Sequence, residues 1–215
     1  MHRSAAEIVR EYGPFPGVDQ VGGVTHDGRH VWFAAGDRLH AFDPASGRTL
    51  RSVDLAAAAG TAFDGRHLFQ LDRDRIRKID PETGRVLATI PTPGRGASGL
   101  TWAEGTLWVG QYGDRKIYQV DPETGAILRT LQSDRFVTGV TWVDGELWHG
   151  TWEGDESDVR RIDSRTGEVL ESLALPRGVG VAGLESDGGD RFFCGGGPSG
   201  KLRVVRRPGR RARVG

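Results

Sequence analysis

The residues with the clearest capacity for chemistry lie in one acidic and aromatic segment, residues 151–158. It reads TWEGDESD and contains Trp152, Glu153 and Glu156. A carboxyl group held beside an aromatic ring can move a proton to or from a bound ligand. Glu153 and Glu156 are therefore the candidate catalytic residues, and Trp152 is a candidate wall of a ligand pocket. The alternative is an ordinary solvated loop, because surface connections are often acidic.

Four residues in other segments are predicted to reach the same site. Tyr112 would extend the aromatic wall, and Gln20, Gln111 and Arg135 would supply polar groups that bind a substrate. Ligand sites commonly combine apolar walls with a few polar groups in this way. The prediction that these distant segments converge depends on the fold.

The fold is indicated by a repeat. Five segments share one pattern, and their first glycines are 37 to 44 residues apart in the sequence. These glycines are Gly23, Gly60, Gly99, Gly139 and Gly183. This spacing is close to the roughly 40–45 residues of a four-stranded propeller blade. Asp-Gly turns and Asp-Pro-Glu-Thr-Gly turns separate the strands of a unit, and both are typical of tight connections between antiparallel strands.

The sequence therefore predicts an all-β fold, a single five-bladed β-propeller of four-stranded antiparallel blades over residues 1–206. The fifth unit stops after its third strand, and the segment Ala6–Tyr12 resembles the fourth strands of other units. We expect this N-terminal strand to complete the last blade and close the ring, which removes exposed sheet edges. Residues 207–215 are predicted to form a basic flexible tail. An open meander or a sandwich is the alternative architecture.

In a propeller, the second-to-third strand turns and the connections between blades meet on one face around the central channel. We call this face the mouth, and the candidate residues above are assigned to it. The partner is predicted to be a peptide or small molecule bound there.

Composition narrows the class of partner. The 29 basic and 29 acidic residues cancel, so no general field favours nucleic acid or a membrane surface. The N-terminal segment has no apolar run typical of a signal peptide. A single cysteine, Cys194, is consistent with a reducing compartment. We expect a cytoplasmic, monomeric protein.

A weaker hypothesis is a structural or catalytic divalent metal in the central channel. His26, His149, Glu185 and Cys194 carry ligand types that suit zinc. No spacing motif supports the set, and interior histidines that bond to protein groups are commoner. The cofactor is otherwise unknown.

The run GVTWVDGELWHGTWEGDESDVRRIDSRTGEVL from Gly139 resembles the blades of the glutamine cyclotransferases, the plant-type glutaminyl cyclases. The residues at 19–23, DQVGG, are similar to the opening of that family's first blade. The resemblance implies a five-bladed propeller that cyclises an N-terminal glutamine to pyroglutamate with release of ammonia. Glu153 would then be the acid–base residue, Trp152 and Tyr112 the pocket walls, and Gln20 or Gln111 a polar anchor.

Two other functions compete with this acyltransferase activity. The first is a non-catalytic propeller that binds a peptide or small molecule in its mouth. The second is a metal-dependent lactonase or lyase, because propellers of those classes have similar Asp-Gly and Asp-Pro turns. Fold alone does not separate the three.

Overall fold

Each repeat folds into one four-stranded antiparallel sheet in the computed structural model, which describes residues 2–209. The strands are β1 (His2–Ala5), β2 (Ile8–Tyr12), β3 (Val24–His26), β4 (Val31–Ala35), β5 (Arg38–Phe42), β6 (Thr49–Asp54), β7 (Thr61–Phe63), β8 (Leu68–Asp72), β9 (Arg75–Ile79), β10 (Val86–Pro91), β11 (Ala97–Ala103), β12 (Thr106–Gln111), β13 (Lys116–Val120), β14 (Ile127–Gln132), β15 (Val137–Val143), β16 (Glu146–Glu153), β17 (Glu156–Ile162), β18 (Val169–Ala174), β19 (Gly183–Ser186), β20 (Arg191–Gly195) and β21 (Leu202–Arg206). Blades 1 to 4 are β3–β6, β7–β10, β11–β14 and β15–β18, and blade 5 is β19, β20, β21 and β2. The predicted five-bladed propeller is confirmed.

The ring is closed by the N-terminal strand, as predicted. β2 pairs antiparallel with β21, with Tyr12 opposite Leu202 and Ile8 opposite Val205. Glu11 adds side-chain contacts across this junction, accepting hydrogen bonds from Lys201 at 3.0 Å and from Arg203 at 2.7 Å. The second strand of the chain and the last strand are thereby held in one sheet.

One strand was not predicted. β1 pairs in parallel with β18, which extends blade 4 to five strands. Residues 2–5 are too polar and too short for a periodicity argument to identify them. Pairing with β1 covers the outer edge of β18, whose backbone groups would otherwise face solvent.

Large rings on the second strands pack against the neighbouring blade. Phe69 stacks on Trp102 at 5.5 Å between ring centroids, and Trp108 stacks on Trp142 at 5.9 Å. Trp108 is almost fully buried. Such pairs add to the burial of apolar area, and these two join blade 2 to blade 3 and blade 3 to blade 4.

The inner strands approach each other so closely that only glycine fits at the start of each repeat. A methyl group added at Gly99 would lie 2.5 Å from the Thr138 carbonyl oxygen, and one at Gly139 would lie 2.3 Å from the Leu184 nitrogen. The first glycines of the other three repeats meet the neighbouring blade in the same way. These five glycines, Gly23, Gly60, Gly99, Gly139 and Gly183, form what we call the glycine ring.

The predicted start of the flexible tail, at residue 207, is wrong. Arg207 is buried and donates hydrogen bonds to Asp144 at 2.7 Å and to Glu146 at 3.0 Å. Asp144 lies in the turn between β15 and β16, and Glu146 begins β16, so blade 4 holds the chain beyond β21. The rest of the predicted tail, residues 210–215, lies outside the described residues.

The described residues contain no helix, and thus none with the length and hydrophobicity of a membrane span.

We predict that Gly99→Ala strongly destabilises the protein. The added methyl group meets backbone atoms of the neighbouring blade at 2.5 and 2.8 Å, and backbone yields less readily than a flexible side chain. Overpacking of this kind costs about 1–3 kcal/mol or more. The matched control is Gly113→Ala, where nothing lies within 4 Å of the added atom. Chemical denaturation measures both, and equal stabilities of the two variants would contradict the glycine ring.

Candidate functional site

The mouth is organised by backbone hydrogen bonds within each blade. The turn between the second and third strands bonds to the connection that leaves the same blade. In blade 2, Thr92 N–H donates to the Asp74 carbonyl at 3.0 Å; in blade 3, Ser133 N–H donates to the Arg115 carbonyl at 2.7 Å. The two kinds of connection therefore lie on one face, as the repeat predicts.

Trp152 lies across the mouth at the end of β16. Its indole N–H donates to the Gly154 carbonyl at 3.0 Å. A methyl group added at Gly180 would lie 2.5 Å from the ring, and one at Gly197 would lie 2.7 Å from it. Trp152 is half-buried, and its ring packs on these two glycines, one in the connection to blade 5 and one in blade 5.

Tyr112 joins the same aromatic wall from blade 3. It is 42% exposed, and its ring stacks on Phe136 at 4.7 Å with an interplanar angle of 16°. Its hydroxyl donates to the Trp152 carbonyl at 3.3 Å. The guanidinium of Arg115 lies 4.4 Å from the Phe136 ring centre. The structure thus brings Tyr112 and Trp152 together, with Phe136 as a support that the sequence did not indicate.

Glu153 is fixed in place. Its carboxylate accepts the backbone N–H of Phe136 at 3.0 Å and lies 3.4 Å from Arg135 and 3.6 Å from Arg115. Its side chain is 30% exposed. A carboxylate with three such partners suits binding and positioning better than the release and recapture of a proton.

Arg135 is the centre of a charged cluster. Its guanidinium reaches Asp158 at 3.0 Å and Glu156 at 3.8 Å in addition to Glu153. Asp158, which is almost fully buried, also pairs with Arg160 at 3.2 Å. Separating such a buried pair would leave an uncompensated charge in the interior. The pair therefore keeps its geometry.

The acidic side of this cluster exceeds the basic side by one charge. Three guanidinium groups face four carboxylates, since Asp134 also pairs with Arg160 at 2.7 Å. Aromatic faces beside this excess of negative charge favour a cationic ligand group. We call Tyr112, Trp152, Glu153, Glu156 and Arg135 the aromatic–acidic site.

Two predicted residues lie at the rim of the mouth. Glu156 is 58% exposed, and its contact with Arg135 at 3.8 Å is the longest of that cluster. Gln20 is exposed in the connection before β3. Glu156 is therefore the freer of the two predicted catalytic carboxylates.

Gln111 does not face a ligand. Its side chain is buried beneath the loop before β11, and its amide donates to the Pro93 carbonyl. The side chain links β12 to that loop and is not placed to anchor a substrate. The alternation of β12 places it inward, whereas the sequence indicates only that the following turn is rich in polar residues.

The predicted metal ligands each have a separate protein partner. His26 stacks on Phe193 at 6.0 Å between ring centroids, and its Nδ1 accepts the Gly28 N–H at 3.2 Å. His149 is buried, with its Nδ1 3.2 Å from the Gly150 carbonyl oxygen. Burial lowers the pKa of His149 to about 4.

Cys194 is also buried, and its burial raises the thiol pKa to about 12, far from a reactive thiolate. Within residues 2–209, no group of three or more His, Cys, Asp or Glu residues is arranged to hold a metal. The proposed set of His26, His149, Glu185 and Cys194 is therefore not brought together.

Glu185 lies in the central channel instead. Its carboxyl group accepts hydrogen bonds from Thr25 at 2.9 Å, from Thr141 and from the Ser186 N–H at 2.9 Å. Burial raises its pKa to about 7, although these hydrogen bonds oppose the shift. Thr25 and Thr141 belong to the neighbouring blades on either side, so this carboxyl group joins three blades.

A signal for this role is present in the repeat. Glu185 stands at the second position after the repeat's glycine, where the other blades have small residues: Thr25, Ala62, Thr101 and Thr141. Glu185 therefore departs from the pattern of small side chains that the other four repeats share at this position. Phe136 and Asp158 carry no comparable signal, because their importance depends on contacts between blades.

Comparison with known proteins agrees with the fold. The PQQ_2 family, described as outer membrane protein assembly factor BamB, matches residues 35–192. The chain belongs to this family. No curated protein matches the chain.

Solved structures give a closer architectural comparison. The glutaminyl cyclase of Myxococcus xanthus superposes with a TM-score of 0.79 at 20% identity, covering 95% of this chain and 97% of that one. The hydrazine synthase of Kuenenia stuttgartiensis gives a TM-score of 0.53 at 16% identity, covering 82% of this chain and 55% of that one. At these identities the likeness is one of fold. The chain has the five-bladed fold of that glutaminyl cyclase.

We predict that Glu185→Gln stabilises the protein increasingly as the pH rises from 5 to 8. The folded-state pKa of Glu185 is raised to about 7 from an ordinary value of 4.5, so its contribution is fully favourable below pH 4.5 and is lost as the pH passes 7. The shift corresponds to at most about 3 kcal/mol. Glutamine keeps a neutral group of the same shape in the channel.

The measurement is the difference in melting temperature between the variant and the wild type across this pH range. The lowered pKa of His149 makes the protein less stable as the pH falls below about 6.5, whereas Glu185 makes it more stable. Both proteins contain His149, so its effect cancels in the difference. A difference that stays constant from pH 5 to pH 8 would show that Glu185 titrates normally.

Proposed function

We propose that this member of the PQQ_2 family binds the amino-terminal end of a peptide, or a small molecule with an ammonium group, in its mouth. The observation that carries the proposal is the aromatic–acidic site itself. The Tyr112 hydroxyl donates to the backbone carbonyl of Trp152, beside a cluster with one more carboxylate than guanidinium groups. Such an environment attracts a cation through charge and through the faces of the rings.

The rigidity of the site supports binding. Glu153 accepts one backbone hydrogen bond and lies beside two guanidinium groups, and Arg135 keeps the surrounding carboxylates in place. A site that is already ordered loses little conformational entropy when a ligand arrives. The ligand's ammonium group would pair with Glu156 at the rim and pack on the exposed face of Tyr112.

The reaction that we propose for this site is cyclisation of an N-terminal glutamine. The ligand's ammonium group first loses a proton, and the free amine then attacks the side-chain amide carbon. The bond between that carbon and the amide nitrogen breaks, and the nitrogen leaves as ammonia after it gains a proton. Glu156 would transfer the protons and Glu153 would hold the chain end, since Glu156 is the more exposed and more weakly paired carboxylate.

The likeness to the Myxococcus glutaminyl cyclase over 95% of the chain supports this reaction. A second candidate is binding without catalysis, in which the mouth recognises the chain end and releases it unchanged. The full engagement of Glu153 by arginines and a backbone amide favours this candidate. The two candidates share the ligand and differ only in turnover.

We predict that Tyr112→Ala weakens binding of a glutamine-initiated peptide by about twofold to thirtyfold, because a ring packed against a cation contributes about 0.5–2 kcal/mol. Isothermal titration calorimetry with a short glutamine-initiated peptide measures the affinity. The matched control ligand is the same peptide with an acetylated N-terminus, which lacks the positive charge. Equal affinity for the two peptides would contradict the proposed recognition of an ammonium group.

We predict that the protein releases ammonia from the same peptide and that Glu156→Gln reduces the rate at least about a hundredfold, which is the usual size of a general acid–base contribution. Mass spectrometry detects the mass loss. Glu123→Gln is the control, because Glu123 is an exposed carboxylate in the turn between β13 and β14, away from the mouth. Tight binding without mass loss would select the non-catalytic candidate.

A further inference from the structure

A second cavity opens on the mouth beside the aromatic–acidic site, above blades 2 and 3. It has a volume of about 670 Å³ and is lined by Ala58, Ala59, Arg73, Asp74, Arg95, Gly96 and Ala97. Small residues form most of its wall, so there is room for a ligand group. Two arginines stand over it, and neither belongs to the charged cluster around Arg135.

Arg95 is presented by a loop with two glycines. Gly94 and Gly96 both have positive φ, at 81° and 79°, a conformation that glycine adopts without strain. The loop is anchored at both ends, since Thr92 Oγ1 donates to the Gly94 carbonyl at 2.9 Å and the Tyr112 N–H donates to the Gly96 carbonyl at 3.2 Å. Arg95 thus projects from a fixed backbone while its side chain remains exposed.

Arg73 occupies the equivalent turn of blade 2 at a conformational cost. Its φ is 55°, in the left-handed region where blade 1 has Gly36 with φ of 65°. A residue with a side chain is disfavoured there by about 1–2 kcal/mol. Arg115 in the corresponding turn of blade 3 also has a positive φ, 54°, but its guanidinium lies over Phe136 and near Glu153.

Neither arginine is neutralised. Within the described chain, Arg73 and Arg95 make no ion pair and no side-chain hydrogen bond. The only carboxylate that lines the cavity is Asp74, which lies 3.8 Å from Arg75. By contrast, the guanidinium groups of Arg135 and Arg160 are both paired with carboxylates.

We propose that this cavity is an anion site that binds a carboxylate group through Arg73 and Arg95. Asp74 is paired with Arg75, so the two guanidinium groups leave an excess of positive charge on the lining that attracts an anion. Guanidinium groups recognise carboxylates by paired, planar hydrogen bonds, and their weak hydration favours such contacts.

This site goes beyond the proposed function, because it uses neither Trp152 nor the cluster around Arg135. Its ligand is an organic acid or an acidic side chain, whereas the aromatic–acidic site takes an ammonium group. The two sites are distinguishable by the sign of the charge that each selects.

The test uses the complete protein labelled with ¹⁵N and titrated with succinate at constant ionic strength, and the amide resonances of Gly94, Gly96 and Ala97 report binding. We expect saturable shifts in the wild type. Arg95→Gln and Arg73→Gly should each raise the dissociation constant at least about tenfold. Arg73→Gly also relieves the backbone at that turn, so it should fold at least as well as the wild type.

The control is Arg48→Gln, since Arg48 is exposed in the turn between β5 and β6, away from the mouth. Its succinate affinity should equal that of the wild type. Three results would overturn the proposal. They are the absence of a saturable shift in the wild type, succinate affinities of the Arg73 and Arg95 variants equal to that of the wild type, and tighter binding of inorganic phosphate than of succinate. Failure of peptide binding at Trp152 would leave this result unchanged.

Discussion

The close approach of five inner strands is the constraint on which the rest of the molecule depends. At each glycine of the ring, an added methyl group would lie 2.2–2.5 Å from backbone atoms of the next blade. The channel is therefore narrow, and the mouth above it is shaped by short connections. The strands and their tight turns must keep the residues that close the ring. The side chains that differ between blades therefore lie mainly in the connections, where binding residues are common.

The mouth divides into two parts of opposite character. Above blades 3 and 4, rings and an excess of carboxylate surround Trp152, and every arginine there is paired. Above blades 2 and 3, Arg73 and Arg95 are free and the wall is made of small residues. A molecule with an ammonium group at one end and a carboxylate at the other would match both parts, which is the charge pattern of a short peptide.

Sequence reasoning predicted what the repeat determines. Blade number, the turns and the closing strand all follow from patterns that recur within the chain, such as the glycine spacing and the match of Ala6–Tyr12 to other fourth strands. It also predicted that Tyr112 and Trp152 lie in one site, and the Tyr112 hydroxyl contacts the Trp152 carbonyl. It did not predict contacts that occur once in the chain. Gln111 is buried and Arg207 is held by blade 4, because each contacts a residue far away in the sequence.

The central claim is that the aromatic–acidic site holds an ammonium group. The most direct test is a crystal structure of the protein soaked with a glutamine-initiated dipeptide. The account predicts density for the peptide nitrogen between Tyr112 and Glu156, with Glu153 and Arg135 in unchanged positions. Density for the peptide elsewhere on the ring, with this site empty at saturating peptide, would contradict the claim.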